Sequence, residues 1–336
     1  MYNVSVSPHV RSQNTTKSVM RDVAIALLPV LAFGVYQFGL RALMVIAICI
    51  VTCVLSELIF ELLAKKTVTI FDYSAVVTGM ILAVNLPANV AWWIPVIGSV
   101  FAIVAVKMLF GGLGQNFMNP ALAARCFLLI SFTGRMSDFA TSGTLTEQFE
   151  MIKTGGIKAL TSAADATAGA TPLAVLKGGE EVDLLTLFLG FHGGCIGEVS
   201  ALAILIGGLY LIVKKVISVR IPLTYILSTA LFIFVINIAS GNDVSLNYML
   251  GQVLSGGLLV GAFFMATDYV TSPITPWGQI IYGILLGLLT ALFRVLGSSA
   301  EGVSYAIIIG NLLVPLIEKI TIPKPFGCEK AKGENK

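Results

Sequence analysis

Residues 42–64 read ALMVIAICIVTCVLSELIFELLA, an apolar run that only two carboxylates, Glu57 and Glu61, interrupt. About 20 such residues cross the roughly 30 Å hydrocarbon core of a bilayer as a helix. Comparable runs recur along the chain, so the sequence predicts an all-α polytopic membrane protein of about ten transmembrane helices. We expect them near 20–38, 42–64, 73–87, 92–110, 119–133, 197–214, 220–239, 247–267, 277–297 and 302–320.

The composition agrees with a membrane location. Hydrophobic residues make up 57% of the chain, charged residues 12%, and the mean hydropathy is +0.92, whereas soluble domains carry roughly 25% charged residues. The net charge of +3 is too small to indicate nucleic-acid binding. The predicted surroundings of the chain are the lipid bilayer. Because the five cysteines form no C-x-x-C pair, we expect no metal or iron–sulfur site in this chain.

Basic residues set the expected orientation. With the N-terminus inside, fifteen Lys and Arg residues fall at the cytoplasmic face and six fall outside, as the positive-inside rule requires. An even number of helices brings both termini to the cytoplasm and leaves the polar stretch 134–181 outside. We therefore expect a multi-pass protein of a bacterial inner membrane, with an extracytoplasmic segment in its middle.

An internal repeat is visible. The stretches VTGMILAVNLP, WWIPVIG and LFGGLGQNFMNP in the first half correspond to SGGLLVGAFFMATD, PWGQIIYG and FRVLGSSAEGVSYAIIIGN in the second. Five helices per copy would insert the second copy upside down, as in many transporters with a central site. The sequence predicts two inverted five-helix repeats, 1–133 and 194–336. The segment 134–193 lies between them and ends in a short interfacial or re-entrant apolar piece at 182–193.

The stretch DATAGATPLAVLKGG begins at Asp165 and contains a local helix signal. Thr171 before Pro172 predicts a brief helix with the threonine as its N-cap, stopped by the following glycines. The threonine is either a plain cap or the attachment point of a phosphate, because a helix N-terminus favours anions.

This stretch resembles the flavinylation motif Asp-x-x-Ser/Thr-Gly/Ser-Ala-Thr. Asp165, Gly169, Ala170 and Thr171 match it, while Ala168 stands where a hydroxyl residue is usual. Further matching stretches lie at 111–125, 193–200, 266–273 and 301–311. Through these motifs the chain, from Tyr2 to about Pro325, resembles the NqrB/RnfD family of membrane subunits.

The resemblance implies a function. Such a subunit belongs to an Rnf-type complex that couples electron transfer between ferredoxin and NAD to Na⁺ or H⁺ translocation. It would carry FMN as a phosphoester on Thr171 at the extracytoplasmic side, with riboflavin as a second, noncovalent flavin. The implied partners are the other membrane subunits, the extracytoplasmic flavin and iron–sulfur subunits, and a flavin transferase. The flavin supplies the redox chemistry, so no side chain of this chain is predicted to be catalytic.

Ionisable and amide side chains within the apolar runs are candidates for an ion path, because a carboxylate in hydrocarbon is costly. They are Glu57, Asn116, Asn119, Glu198, Asp268 and Glu301. Glu198 and Glu301 could equally serve helix N-termini, and the two asparagines could be turn residues. Two other functions stay open at this point, a passive channel or solute facilitator and an inert membrane anchor for redox partners.

Overall fold

The computed structural model describes residues 15–139, 171–179, 182–241, 245–297 and 302–323, and the described part is built from helices. We number the ten apolar helical segments and refer to shorter helices by their residues. The segments are α1 (Thr16–Phe38), α2 (Leu40–Leu63), α3 (Ser74–Val84), α4 (Trp93–Met108), α5 (Pro120–Ser131), α6 (Ala201–Val213), α7 (Arg220–Ala239), α8 (Leu246–Leu254 with Leu258–Met265), α9 (Pro276–Leu296) and α10 (Val303–Thr321). The shorter helices are Ile70–Asp72, Thr133–Met136, Pro172–Lys177 and Leu184–Leu189.

The helices fall into two length classes. Among the described residues, α1, α2, α7, α9 and α10 are long and apolar enough to cross a membrane, and the two parts of α8 make a sixth candidate, bent by 55°. The segments α3 to α6 are apolar but shorter. The prediction of an all-helical polytopic membrane protein is confirmed, and each predicted segment has a helix at its position.

Three predicted helices differ in extent from the structure: α6 begins at Ala201 and not at residue 197, and α3 and α8 differ for reasons visible in the sequence. The prediction continues α3 to residue 87, but the helix ends at Val84, because Pro87 has no N–H to donate and disfavours helical backbone before it. The helix predicted at 247–267 is interrupted after Leu254, where Gly256 and Gly257 have φ values of +70° and +66°. Such backbone suits glycine and ends a helix.

Because α3 has 11 residues, it rises only about 16 Å, and the chain beyond it is non-helical. Backbone groups inside a membrane need partners within the protein. Here the segment before α6 supplies them, since the N–H groups of Ile196 and Gly197 donate to the carbonyls of Leu86 (3.0 Å) and Val84 (2.9 Å). The two irregular segments therefore satisfy each other inside the helical bundle.

Helix packing follows one pattern in both halves of the chain. In the first half α2 packs on α3 and α4, and α4 on α5. In the second half α7 packs on α8 and α9, and α9 on α10. Between the halves α1 contacts α6 and α5 contacts α10. Helices at the same position in the two halves thus have neighbours at the same positions. The contacts between the halves join the first helix of each half, α1 and α6, and the fifth helix of each half, α5 and α10.

Gly34 of α1 lies against the paired segments, and this contact generates a prediction. A Cβ on residue 34 would lie 2.5 Å from the carbonyl oxygen of Ile196. We expect Gly34→Ala to lower the free energy of unfolding by about 1–3 kcal/mol, because the backbone must shift to admit the methyl group. Thermal unfolding in detergent measures this. Gly134→Ala is the matched control, since a Cβ there meets nothing within 4 Å. Equal midpoints for the two variants would contradict the proposed packing.

Candidate functional site

A cavity of about 80 Å³ lies where α1, α3, α6 and α8 meet the ends of α4 and α5. It is large enough for a few water molecules or a small hydrated ion. Its walls are mainly apolar, and its polar lining is Ser74, Thr78, Lys107, Asn116, Asn119, Thr267, Asp268 and Tyr269. Three of the six residues predicted for an ion path, Asn116, Asn119 and Asp268, therefore meet at one cavity between the two halves.

Asn119 is placed by the start of α5. Its Oδ1 accepts from the backbone N–H groups of Ala121 (3.1 Å) and Leu122 (3.4 Å), with Pro120 as the first helical residue. Asn116 donates from Nδ2 to the carbonyl of Met118 at 3.0 Å. Both side-chain amides thus bind nearby backbone groups, as expected of turn residues, which was one of the two alternatives for them. Both also line the cavity.

Asp268 faces the cavity just beyond α8, which ends at Met265. Its Oδ2 accepts from the Thr271 hydroxyl at 3.0 Å. Among the described residues that line the cavity, Asp268 is the one carboxylate and Lys107 the one base. The cavity therefore has opposite charges on its walls, which suits a cation accompanied by water more than an apolar solute.

Lys107 forms a buried ion pair with Glu57. Its Nζ donates to the two carboxylate oxygens at 2.7 and 2.9 Å and to Ser74 Oγ at 2.7 Å. The two side chains are 2% and 1% exposed. Glu57 does not line the cavity itself and is joined to it through Lys107. Lys107 is one of the fifteen basic residues counted at the cytoplasmic face, and the sequence predicted no other role for it, although a lysine inside the apolar run FAIVAVKMLF indicates a buried partner.

The contacts continue from Glu57 to the loop after α2. The Thr69 hydroxyl donates to Glu61 Oε1 and lies 3.4 Å from Glu57 Oε1. The Thr69 N–H donates to both Glu61 oxygens at 3.1 Å. Glu61 is buried and Thr69 is exposed. A continuous line of polar groups thus runs from the loop through the two glutamates and Lys107 to the cavity.

Glu198 lies apart from this line. The sequence placed it at the opening of the sixth helix, and that position is wrong, because α6 begins at Ala201 with Ser200 as its N-cap. Glu198 belongs to the irregular segment paired with α3, and its carboxyl lies near the break of α8 at Gly257. The sixth candidate, Glu301, lies outside the described residues.

Thr171 is also at the break of α8. As predicted, it caps the helix Pro172–Lys177, and its Oγ1 accepts from the Ala174 N–H at 3.4 Å. Thr171 is 7% exposed. Leu173 and Leu176 of this helix pack against Gly256 and Gly251 of α8. The motif residues Asp165, Gly169 and Ala170 lie outside the described residues.

A second buried cation lies beside this helix. Arg294, in the last turn of α9, donates to the carbonyls of Gln252, Ser255 (3.0 Å) and Gly256 (3.0 Å) at the α8 break. Lys107 has the corresponding position near the end of α4 and contacts Ser74 at the start of α3. Each half thus has a cation near the end of its fourth helix that donates to a serine of its third segment: Lys107 to the Ser74 hydroxyl, and Arg294 to the Ser255 carbonyl in the α8 break.

The Lys107–Glu57 pair leads to a prediction. Lys107→Met leaves a buried carboxylate without its cation, and we expect it to reduce the free energy of unfolding by about 3–5 kcal/mol. Adding Glu57→Leu removes the stranded charge and should recover most of that loss. Thermal unfolding of the two single variants and the double variant gives the coupling energy. Additive losses would show that the two side chains do not act as a pair.

Nearly the whole chain is similar to known subunits of ion-translocating oxidoreductase complexes. It is 49% identical over 338 residues to the D subunit of a Na⁺-translocating ferredoxin:NAD⁺ oxidoreductase complex of Acetobacterium woodii, covering 99% of this chain and 98% of the relative. It is 37% identical to the D subunit of a proton-translocating ferredoxin:NAD⁺ oxidoreductase complex of Clostridium ljungdahlii, with 98% and 97% covered. The D subunit of an ion-translocating oxidoreductase complex of Actinobacillus succinogenes is 35% identical, with 97% and 98% covered.

The family model described as NQR2, RnfD, RnfE matches residues 3–327. This range includes every helix of the bundle, the cavity and the Thr171 segment. On these full-length matches, the chain belongs to the NQR2, RnfD, RnfE family.

Proposed function

We propose that the chain is the D-type membrane subunit of an Rnf complex, which couples electron transfer between ferredoxin and NAD to Na⁺ or H⁺ movement. The observation that carries this proposal is the match over nearly the whole length of both chains to relatives with that name. The subunit works with the other membrane subunits and with extracytoplasmic flavin and iron–sulfur subunits. In this proposal the partner subunits, and not this chain, bind NAD.

The proposed cofactor is FMN, held as a phosphoester on Thr171 Oγ1 within the Asp165, Gly169, Ala170 motif. The local structure fits this group, because Thr171 stands before the first turn of a helix, where N–H groups favour a phosphate. The packing of Leu173 and Leu176 on α8 would fix the attachment point against the bundle. When bound, the flavin supplies one- and two-electron redox chemistry. A flavin transferase makes the attachment, and riboflavin is the proposed second, noncovalent flavin.

The proposed topology has ten membrane crossings in two inverted repeats, 1–133 and 194–336, with both termini cytoplasmic. Two observations support it. Corresponding helices of the halves have corresponding neighbours. The cavity is lined by the start of α1, α3 and α5 and by the end of α4, α6 and α8, as alternating crossings require. The Thr171 segment, within 134–193, packs at the break of α8 and is then extracytoplasmic.

The proposed ion path enters by Glu61 and Glu57 and reaches the cavity at Lys107, Asn116, Asn119 and Asp268. Support comes from the continuous polar contacts and from the position of the cavity between the halves. Glu198 and Glu301 would act on the extracytoplasmic side. A passive solute facilitator is the alternative, since inverted repeats and a central cavity serve that function too. An inert anchor is less supported, because it needs neither the cavity nor the buried charges.

Thr171 provides the test of the cofactor. With the flavin transferase present, the chain should gain the mass of FMN and fluoresce in a denaturing gel. Thr171→Ala should abolish both signals, and Thr171→Ser should retain a measurable part, because it keeps the hydroxyl. Thr167→Ala, the neighbouring hydroxyl in the motif, is the control and should remain labelled. A wild-type chain without flavin beside an active transferase would favour the facilitator.

Asp268 provides the test of the ion path. Asp268→Asn removes the carboxylate of the cavity, and we expect ion uptake per electron in vesicles to fall roughly tenfold, the effect of about 1.4 kcal/mol of lost attraction. Flavin labelling of the variant should stay unchanged. Asp183→Asn is a matched control, because Asp183 also accepts from a threonine three residues later but is exposed, outside the cavity. Normal coupling in Asp268→Asn would exclude the proposed path.

A further inference from the structure

A second, larger cavity opens beside the first. It is a groove of about 570 Å³ between the α6–α7 connection, the residues after α8 and the first turn of α9. Its polar lining consists of Lys215, Ser218, Arg220, Thr267, Tyr269, Ser272 and Gln279. Val216, Ile217, Thr267 and Tyr269 line both cavities and form the wall between them. The ion path proposed above makes no use of this groove.

The groove has an excess of positive charge. Lys215 and Arg220 are exposed at its rim, and no Asp or Glu is among its described lining residues. Within the described part of the chain, neither basic side chain has a hydrogen bond or an ion pair. Lys215 also has a φ of +56°, which is uncommon for a residue with a side chain. Two cations are therefore held at one opening with no carboxylate between them.

The polar walls of the groove are fixed by hydrogen bonds. Ser218 Oγ donates to Gln279 Oε1 at 3.0 Å, which ties the α6–α7 connection to α9. Gln279 Nε2 in turn donates to the carbonyl of Pro273 at 3.3 Å. The Tyr269 hydroxyl donates to the carbonyl of Val216 and closes the wall toward the first cavity. The opening thus has a shape set by its own contacts.

An apolar track leads away from the groove. Val219, just before α7, lines the groove and is 47% exposed. Leu223, Leu227 and Leu231 follow it at four-residue spacing on α7, and each of these three is more than half exposed. Trp277 is 72% exposed in the first turn of α9, where an interfacial aromatic residue is expected. The apolar face of α7 therefore runs away from the basic rim. If a phosphate were bound at the rim, acyl chains attached to it could lie along this face.

We propose that this groove binds the phosphate of an anionic phospholipid headgroup, with Lys215 and Arg220 as its charged contacts. Basic pockets between membrane helices on the cytoplasmic side suit such headgroups, and the proposed orientation places the groove in that leaflet. The acyl chains lie along the Val219–Leu231 face of α7. The lipid is then a bound component beside the ion cavity, separated from it by Val216 and Tyr269.

The test uses the fluorescence of Trp277 in the full-length chain. Trp92→Phe and Trp93→Phe leave it as the single tryptophan, and the chain is reconstituted in phosphatidylcholine vesicles. Brominated phosphatidylglycerol should then quench Trp277 at lower mole fractions than brominated phosphatidylcholine. The preference should fall roughly fivefold for each basic residue removed, the effect of about 1 kcal/mol per charge near the surface. The variant Lys215→Asn/Arg220→Gln should quench equally with both lipids.

The matched control is Lys65→Asn/Lys66→Gln. Lys65 has the same backbone conformation as Lys215, with a φ of +52°, and follows α2 as Lys215 follows α6. This variant removes two cations from the same proposed face and should keep the lipid preference. Equal quenching by both lipids in the starting chain would overturn the proposal. So would an unchanged preference in Lys215→Asn/Arg220→Gln, or an equal loss in the control, which would indicate only general surface charge.

Two further measurements distinguish a lipid headgroup from a free anion and from a protein partner as the group bound by the two basic residues. Millimolar inorganic phosphate should leave the preference for phosphatidylglycerol intact, and its loss would identify a free-anion site instead of a lipid site. In native mass spectrometry, the assembled complex should retain phosphatidylglycerol, and the complex with Lys215→Asn/Arg220→Gln should lose it. A complex that retains none, while the isolated chain prefers the lipid, would have a protein partner in the groove and would overturn the lipid assignment.

Discussion

Every backbone N–H and carbonyl at membrane depth needs a partner within the protein, and this constraint governs the bundle. A continuous helix meets this constraint with its own hydrogen bonds. By contrast, α3 ends at Val84 and α8 is interrupted after Leu254, so their backbone needs partners from elsewhere. Val84 and Leu86 find their partners in Ile196 and Gly197, more than a hundred residues away in the chain. The α8 break is served by Arg294, which binds its carbonyls. The irregular segments exist only because other parts of the fold complete them.

The same constraint explains where the buried charges lie. A buried ion pair gains little for stability over apolar packing, although loss of one partner is costly. Stability alone therefore does not explain why Lys107 and Glu57 are buried as a pair. They lie between a loop with an exposed threonine and a cavity with its own carboxylate. The proposed ion path would account for so many polar groups in one line of an otherwise apolar bundle.

The sequence predicted best what depends on neighbouring residues. The cap at Thr171, the start of α5 at Asn119 and the long apolar spans are local properties, and they are found where they are expected. Prediction failed where a distant segment decides the structure. Nothing near Glu198 shows that its segment pairs with α3, so the predicted helix runs through it. Lys107 lies on the predicted helix, but its partner could not be predicted, because a contact between two distant helices leaves no mark in a single sequence.

The pairing of the α3 end with the segment before α6 also bears on how the protein is made. A ribosome delivers helices in order, so α3 enters the membrane long before residues 195–197 have been synthesised. Until then the carbonyls of Val84 and Leu86 lack their final partners. The end of α3 therefore completes its hydrogen bonding only once the segment before α6 is present. If the gene were divided between the two halves, the two separate chains would have to form this pairing as they assemble, together with the α1–α6 and α5–α10 contacts.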